Sequence, residues 1–363
     1  MLEGMVFVLA AAVFFAQAAG PEKMFQDAVA AQKRGDDATA IRLYQTLAKS
    51  HPDVVEVRAN LGAVLARQGR FDEAIEQYRA ALARNGNNSA VRMNLAIAHY
   101  KKGSFAEAEK ELRTIQGAGP GDVKVATLLG DCYLRQGEAA KAIALLGPME
   151  SADPDDLALA WMLGSALIRG GKLREGLERV EKVARRGNSA EAYLLAGQTA
   201  LKLDEFERAR DFAEAAMKLN PALPGVLTLR GTVLQYVGDN AGAIASLRKA
   251  IDADPNDFEA HLNLGGILNT ERDLEGARRH IERALQLDPA SIVGRYEKAR
   301  VERSEGRLEE SVRDFEAVVK AKPDWAQPHI ELSALYFRLN RPEDGEREKA
   351  AFDRLSQAGE KVR

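Results

Sequence analysis

The chain has 363 residues, of which 46% are hydrophobic and 29% are charged, so it can bury a substantial core and still remain soluble. Lys and Arg number 51 and Asp and Glu number 54, and the resulting net charge of -3 gives no electrostatic reason to bind nucleic acid or an anionic membrane. The single cysteine, Cys132, cannot form an intramolecular disulfide.

The first element in chain order is an apolar segment at the N-terminus. Met5 to Ala16 is a run of twelve apolar residues, which has the length of a signal-peptide core but is shorter than the roughly 20 residues of a membrane span. The small residues Ala16 and Ala18 then form a cleavage pattern, with cleavage before Ala19. The four residues before the run carry an acid and no Lys or Arg, unlike most secretory signals. We predict that residues 1–18 are a signal peptide and that the protein is periplasmic or secreted; the alternative is a membrane anchor.

Prolines indicate a repeat in the rest of the chain. They recur at intervals of 34 residues or twice that, with one residue missing in the middle of the series. These prolines are Pro52, Pro120, Pro154, Pro221, Pro255, Pro289 and Pro323. The predicted repeats are 21–54, 55–88, 89–122, 123–156, 157–189, 190–223, 224–257, 258–291, 292–325 and 326–359.

Two positions of the repeat hold only small residues. Position eight is Ala28, Gly62, Ala96, Gly130, Gly164, Gly197, Gly231, Gly265, Ala299 and Ser333. Position twenty is Ala40, Ala74, Ala108, Ala142, Gly176, Ala209, Ala243, Ala277, Ser311 and Gly345. Small residues in both columns predict that two helices of each repeat cross at close range.

Position fifteen is glycine in seven of the ten repeats and asparagine in one. Glycine and asparagine are typical of the residue that follows a helix in a left-handed conformation. Each repeat is therefore predicted to be a first helix (A), a tight turn, a second helix (B) and a second turn.

The second repeat resembles the tetratricopeptide repeat (TPR) signature, through residues 60–62 (Asn-Leu-Gly), residues 69–74, Tyr78 and Ala81. The eighth repeat carries the same Asn-Leu-Gly at 263–265. The resemblance extends in register over residues 21–359. It implies an all-α fold, a right-handed superhelical solenoid of antiparallel helix pairs over residues 19–363, with the A helices lining a concave groove.

Repeats three to five and repeat ten depart from the pattern. Gly117 to Gly119 should end the B helix of repeat three early, Gly147 and Pro148 should disturb that of repeat four, and repeat five is one residue short. These departures favour a softer middle region, although ordinary repeat drift would explain them equally well. The polar B helix of repeat ten, with Lys349 at an otherwise apolar position, is predicted to be a solvent-facing cap.

No catalytic motif is present in the sequence. No two of the five histidines have the i, i+4 spacing of a zinc-binding helix, and neither a phosphate-binding loop nor a nucleophile elbow occurs. We therefore predict that the protein is not an enzyme and that it has neither a metal site nor a cofactor.

The resemblance implies that positions 2, 5, 9, 12 and 13 of each repeat face the groove. The predicted apolar contacts for a partner are Met93, Ile97, Trp161, Leu194, Leu262 and Tyr296. The predicted basic edge, which could favour acidic segments, is formed by Arg67, Lys101, Arg135 and Arg169. For most position-five residues, packing against a neighbouring helix explains the pattern as well as binding does; Trp161 favours binding.

The resemblance predicts a scaffold or adaptor that binds peptides or amphipathic helices of other proteins, in envelope or secretion-complex assembly. A clamp for chaperone C-termini is disfavoured, because the Lys and Asn that it needs at positions five and nine are absent. The alternatives are a membrane-tethered subunit of a larger complex, if residues 1–18 are retained, and a catalytic or small-molecule-binding protein.

Overall fold

The computed structural model describes residues 19–116 and 122–360, and these residues form twenty α-helices without a β-strand. The predicted signal peptide and the glycines at 117 and 119 lie outside the described residues. The chain divides into two compact units, Met1–Val183 and Ala184–Arg363. The division falls in repeat five, the repeat that is one residue short.

The helices of the first unit form five A–B pairs. The A helices are α1 (Ala19–Lys33), α3 (Val55–Arg67), α5 (Ser89–Lys102), α7 (Val123–Arg135) and α9 (Leu157–Arg169). The B helices are α2 (Asp37–Ser50), α4 (Phe71–Arg84), α6 (Phe105–Gln116), α8 (Ala139–Ala152) and α10 (Leu173–Gly187), the last of which crosses into the second unit.

The second unit contains five further pairs, besides the last residues of α10. The A helices are α11 (Ala190–Lys202), α13 (Val226–Tyr236), α15 (Phe258–Thr270), α17 (Ile292–Ser304) and α19 (Ala326–Arg338). The B helices are α12 (Phe206–Leu219), α14 (Asn240–Ala253), α16 (Leu274–Leu287), α18 (Leu308–Ala321) and α20 (Pro342–Glu360).

Each A helix ends in a left-handed residue at position fifteen, as the sequence predicts. The seven glycines have φ between 74° and 86°. Asn340, Asp204 and Arg272 adopt the same conformation, with φ of 59°, 59° and 68°. The backbone amide of the next residue then bonds to a carbonyl near the helix end, as in the 3.0 Å bond from Arg70 to Leu65. Repeat geometry thus imposes this conformation even where the residue is not glycine.

The close A–B crossing is also confirmed, because all residues at positions eight and twenty are buried. A Cβ atom added to Gly231 would lie 2.6 Å from Leu247 and 3.2 Å from the carbonyl oxygen of Ala243. A Cβ added to Gly62 would lie 2.7 Å from the Tyr78 ring. Position eight therefore contacts both the backbone of position twenty and the large side chain at position 24.

Within each unit the A helices form the inner layer. Neighbouring A helices contact each other directly, α3 with α5 and α7 with α9 in the first unit, and α11 through α17 in sequence in the second. The described B helices lie mainly against A helices rather than against one another. Each unit therefore curves with its A helices on the inner side.

The irregular repeats keep their helix pairs. Helix α8 continues through Pro148, contrary to the expected disturbance. Pro148 and Ala144 are both exposed, so water can replace the helical bond that the Ala144 carbonyl loses to the proline. Helix α6 ends at Gln116 after twelve residues. Helix α20 is polar and longer than the other B helices, and Lys349 on it is exposed.

Candidate functional site

The candidate site is the inner face of the A helices in the first unit. Its outer edge is position thirteen, the last or next-to-last residue of each A helix. Lys33, Arg67, Lys101, Arg135 and Arg169 are all exposed there. A helix C-terminus favours a cation at this place, so the column has a structural cause that does not depend on binding.

Two of the predicted basic residues contact the preceding repeat. Arg67 forms an ion pair with Asp37 and donates to the carbonyl oxygen of Gln32 at 3.3 Å. Arg169 lies 3.4 Å from the carbonyl oxygen of Leu134. Both carbonyls are at position twelve of the preceding A helix, so these arginines connect successive repeats.

The other two basic residues are more open. Lys101 has no ion pair among the residues that the structure describes. Arg135 lies 3.7 Å from Asp131, and 52% of its side chain is exposed. Lys101 and Arg135 stand at the same position of successive A helices, so each presents a cation on the same edge.

Tyr100, which the sequence interpretation did not select, supports Arg135. Its hydroxyl donates to the carboxylate of Asp131, which also lies next to the Arg135 guanidinium. Burial and the neighbouring Asp131 raise the pKa of Tyr100 to about 12, so the hydroxyl keeps its proton. The contact joins position twelve of one repeat to position nine of the next, a pairing that only the stacking of repeats creates.

The six predicted apolar contacts divide into two groups. Met93, Trp161, Leu194 and Tyr296 are partly buried and keep some accessible surface. Ile97 and Leu262 are only 7% and 6% exposed and lie within the hydrophobic cores of their units. Ile97 and Leu262 therefore have little surface to offer a partner, because both are packed within these cores.

Tyr296 belongs to an aromatic cluster in the second unit. Its ring lies edge-on to Phe315 at 5.5 Å and tilted against Trp325 at 4.6 Å between ring centroids. Val293, which is 44% exposed, and Trp325 line a cleft of about 260 Å³ beside it, together with Lys322 and Asp324. The sequence interpretation did not select Trp325, which stands just before α19 and outside the groove positions.

The described residues contain no group of three or more His, Cys, Asp or Glu side chains placed to hold a metal ion. Cys132 is buried, and desolvation raises the pKa of its thiol to about 12, so it is a packed side chain with little thiolate character. No helix in the described part of the chain is long and apolar enough to cross a membrane.

Comparison with known proteins gives matches over most of the chain. One family model described as tetratricopeptide repeat matches residues 65–132 and 116–167, and a second matches 25–90, 162–224 and 228–292. A solved structure, the C-terminal part of a TPR repeat-containing protein from Cytophaga hutchinsonii, is 18% identical with a TM-score of 0.49. It covers 64% of this chain and 96% of its own.

Curated relatives are similar over shorter stretches. Human Protein O-mannosyl-transferase TMTC1 is 32% identical over 124 residues, which is 33% of this chain and 14% of that protein. Human Superkiller complex protein 3 is 28% identical over 96 residues, which is 26% of this chain and 6% of that protein. The chain therefore spans a small part of these relatives. Because the two family models together cover residues 25–224 and 228–292, the chain belongs to the tetratricopeptide repeat family.

Proposed function

We propose that this protein is a non-enzymatic scaffold that binds an extended peptide or a helical segment of a partner protein along the inner face of its A helices. Membership of the TPR family supports protein partners in general. We further propose that the protein is exported and acts in the assembly of envelope or secretion complexes. This second proposal rests on the signal peptide predicted at residues 1–18.

The observation that carries the proposal is the pair of accessible cations at Lys101 and Arg135. They stand at the same position of neighbouring repeats, with the partly buried Met93 and Trp161 on A helices of the same unit. A surface that combines accessible cations with partly buried large apolar side chains suits a segment with acidic and apolar residues. Charge complementarity of this kind mainly sets selectivity and the rate of association.

Site-specific crosslinking tests where the partner binds. A photo-reactive amino acid is placed at position 101 in one variant and at position 110 in another. Lys110 is exposed on the B helix α6, so it serves as the matched outer-face position. We expect a crosslinked partner from native envelope extracts with position 101 and none with position 110. Equal crosslinking at both positions would contradict binding on the inner face.

Charge reversal tests how the partner is selected. The double variant Lys101→Glu, Arg135→Glu should weaken association with the crosslinked partner about tenfold, whereas Lys110→Glu, Arg113→Glu on the outer face should not. Both variants change the net charge equally, so the comparison removes the general effect of charge. If the two variants bind the partner with equal affinity, Lys101 and Arg135 do not select the partner.

The alternative, a membrane-tethered subunit of a larger complex, differs in the fate of residues 1–18. The intact mass of the protein from its native source separates the two, since a mature N-terminus at Ala19 agrees with export and an unshortened chain agrees with tethering.

A further inference from the structure

An exposed aromatic pair stands on the second unit. Tyr236, the last residue of α13, is 60% exposed, more than Leu219, Val293, Ile330 or Phe337, the other exposed large hydrophobic residues of the described chain. Its ring lies parallel to that of Phe206, the first residue of α12. The ring centroids are 4.7 Å apart, and the ring planes differ by 8°. Phe206 therefore covers one face of the Tyr236 ring and leaves the other face open.

The pair replaces an ion pair found elsewhere in the solenoid. Tyr236 is at position thirteen of its repeat, and Phe206 is at position seventeen of the preceding one. In the first unit the same two positions are Arg67 and Asp37, which form an ion pair. The six repeats before Tyr236 all have Lys or Arg at position thirteen. The edge that is cationic in the first unit is thus aromatic at this point.

The surroundings of the ring are acidic. A cleft of about 420 Å³ lies beside the ring, and its lining includes the carboxylates of Asp204, Glu205 and Glu207 and one cation, Arg208. Arg208 is ion-paired with Glu205. Glu207 pairs with Arg210 at 2.6 Å, and its side chain is still 69% exposed. The cleft therefore carries net negative charge next to an open aromatic face.

We propose that Tyr236, backed by Phe206 and flanked by Asp204 and Glu207, is a docking surface for an arginine side chain in a segment of a partner protein. A guanidinium group is planar, stacks on an aromatic ring and bonds to carboxylates, so it satisfies both features of the cleft. Phe206 already fixes the ring, so little side-chain entropy remains to be lost on binding. The inference rests on the proposed function, because it names the chemistry of the segment that the second unit receives.

Peptide binding to the whole chain tests the proposal. The probe is a fluorescein-labelled peptide in which arginines alternate with glycines, followed by fluorescence anisotropy at about 0.15 M salt to suppress non-specific attraction. Matched peptides with lysine or glutamate in place of arginine are the comparison. We expect the arginine peptide to bind more tightly than the lysine peptide, and the glutamate peptide not to bind through Tyr236.

Variants of Tyr236 then locate the binding. Tyr236→Leu keeps an apolar side chain without the ring and should weaken binding of the arginine peptide about tenfold, whereas Tyr236→Phe should bind like the wild type. Leu219→Ala, a change at another exposed apolar residue of the unit, is the control. Glu207→Gln should weaken binding about threefold. Equal affinity of the wild type and Tyr236→Leu would overturn the proposal.

The two proposals fail separately. Equal affinity of the wild type and Tyr236→Leu for the arginine peptide, with crosslinking at position 101 intact, would overturn only the docking surface. Failure of inner-face crosslinking at position 101 would leave the peptide result intact.

Discussion

The Nδ1 atoms of His261 and His280 lie 3.0 Å apart, between helices α15 and α16 of the eighth repeat. The Nε2 atom of His261 lies 3.3 Å from the carbonyl oxygen of Pro255 and donates to it. Nδ1 of a neutral His261 must then accept the proton that Nδ1 of His280 donates. One protonated ring can still donate to the other, but protonation of both rings would set two N–H donors against each other, so the contact requires that at least one of the two histidines stay neutral.

This contact predicts a loss of stability in acid. Burial, followed by the charges of His261, Arg279 and Arg248, lowers the pKa of His280 to about 4, and burial also lowers the pKa of His261. The unfolded chain, with a histidine pKa of about 6.5, therefore binds more protons than the folded chain as the pH falls from about 6.5 to about 4. The stabilisation is fully present above about pH 6.5 and is lost as the pH falls to about 4.

Urea unfolding at pH 7.5 and pH 4.5 measures the effect. The wild type should lose about 1–2 kcal/mol more than His280→Gln, after allowance for the partial exposure of the ring. His51→Gln in the first unit is the control and should retain the wild-type pH dependence. The same acid loss in His280→Gln as in the wild type would show that the histidine pair does not cause it.

The A–B crossing of the seventh repeat cannot accept a large side chain. Ala243 is fully buried, and its carbonyl lies against Gly231. Ala243→Trp should therefore destabilise the protein by about 3 kcal/mol or more, measured as a lower midpoint of thermal unfolding. Ala241→Trp on the same helix is exposed and should change the midpoint little. Similar midpoints for both variants would contradict the register of the repeat.

The protein should be more stable with glycine in place of Arg272. Its φ of 68° is strained for any side chain, whereas glycine adopts it freely. Arg272→Gly should raise the free energy of unfolding by about 0.5–1 kcal/mol, after the entropy of the more flexible unfolded chain is subtracted. Gly238→Ala is the reverse change, with φ of 86° and no atom within 4 Å of the added Cβ, and should cost about 1 kcal/mol. Chemical denaturation of both variants checks the pair.

Trp161 should report binding in the first unit. Trp325→Phe leaves Trp161 as the single tryptophan of the chain, so its fluorescence can be followed alone. A partner segment that covers Trp161 should shift its emission to shorter wavelength and reduce its quenching by acrylamide. Trp161→Ala should weaken binding with an unchanged circular dichroism spectrum. Unchanged emission on binding would remove Trp161 from the contact surface.

The helix pairs follow from the sequence because their causes are local. Gly69 ends helix α3 through its own left-handed conformation, and Gly62 admits Tyr78 through its lack of a side chain. Residue type and spacing are enough to predict both. Asp204 and Arg272 show the limit of this logic, since the repeat holds them left-handed although neither is a residue that the pattern would choose.

The all-α class, the repeat of helix pairs and the buried positions that let each pair cross can be predicted from residue types and spacing, because these features depend on contacts within one repeat. Which A-helix residues remain accessible cannot be predicted in this way and is seen in the folded solenoid. Ile97 is buried, whereas Tyr236 is open, although both are groove positions in the same repeat pattern. The physical reason is that exposure at these positions depends on the neighbouring repeats, whose side chains a single repeat does not specify.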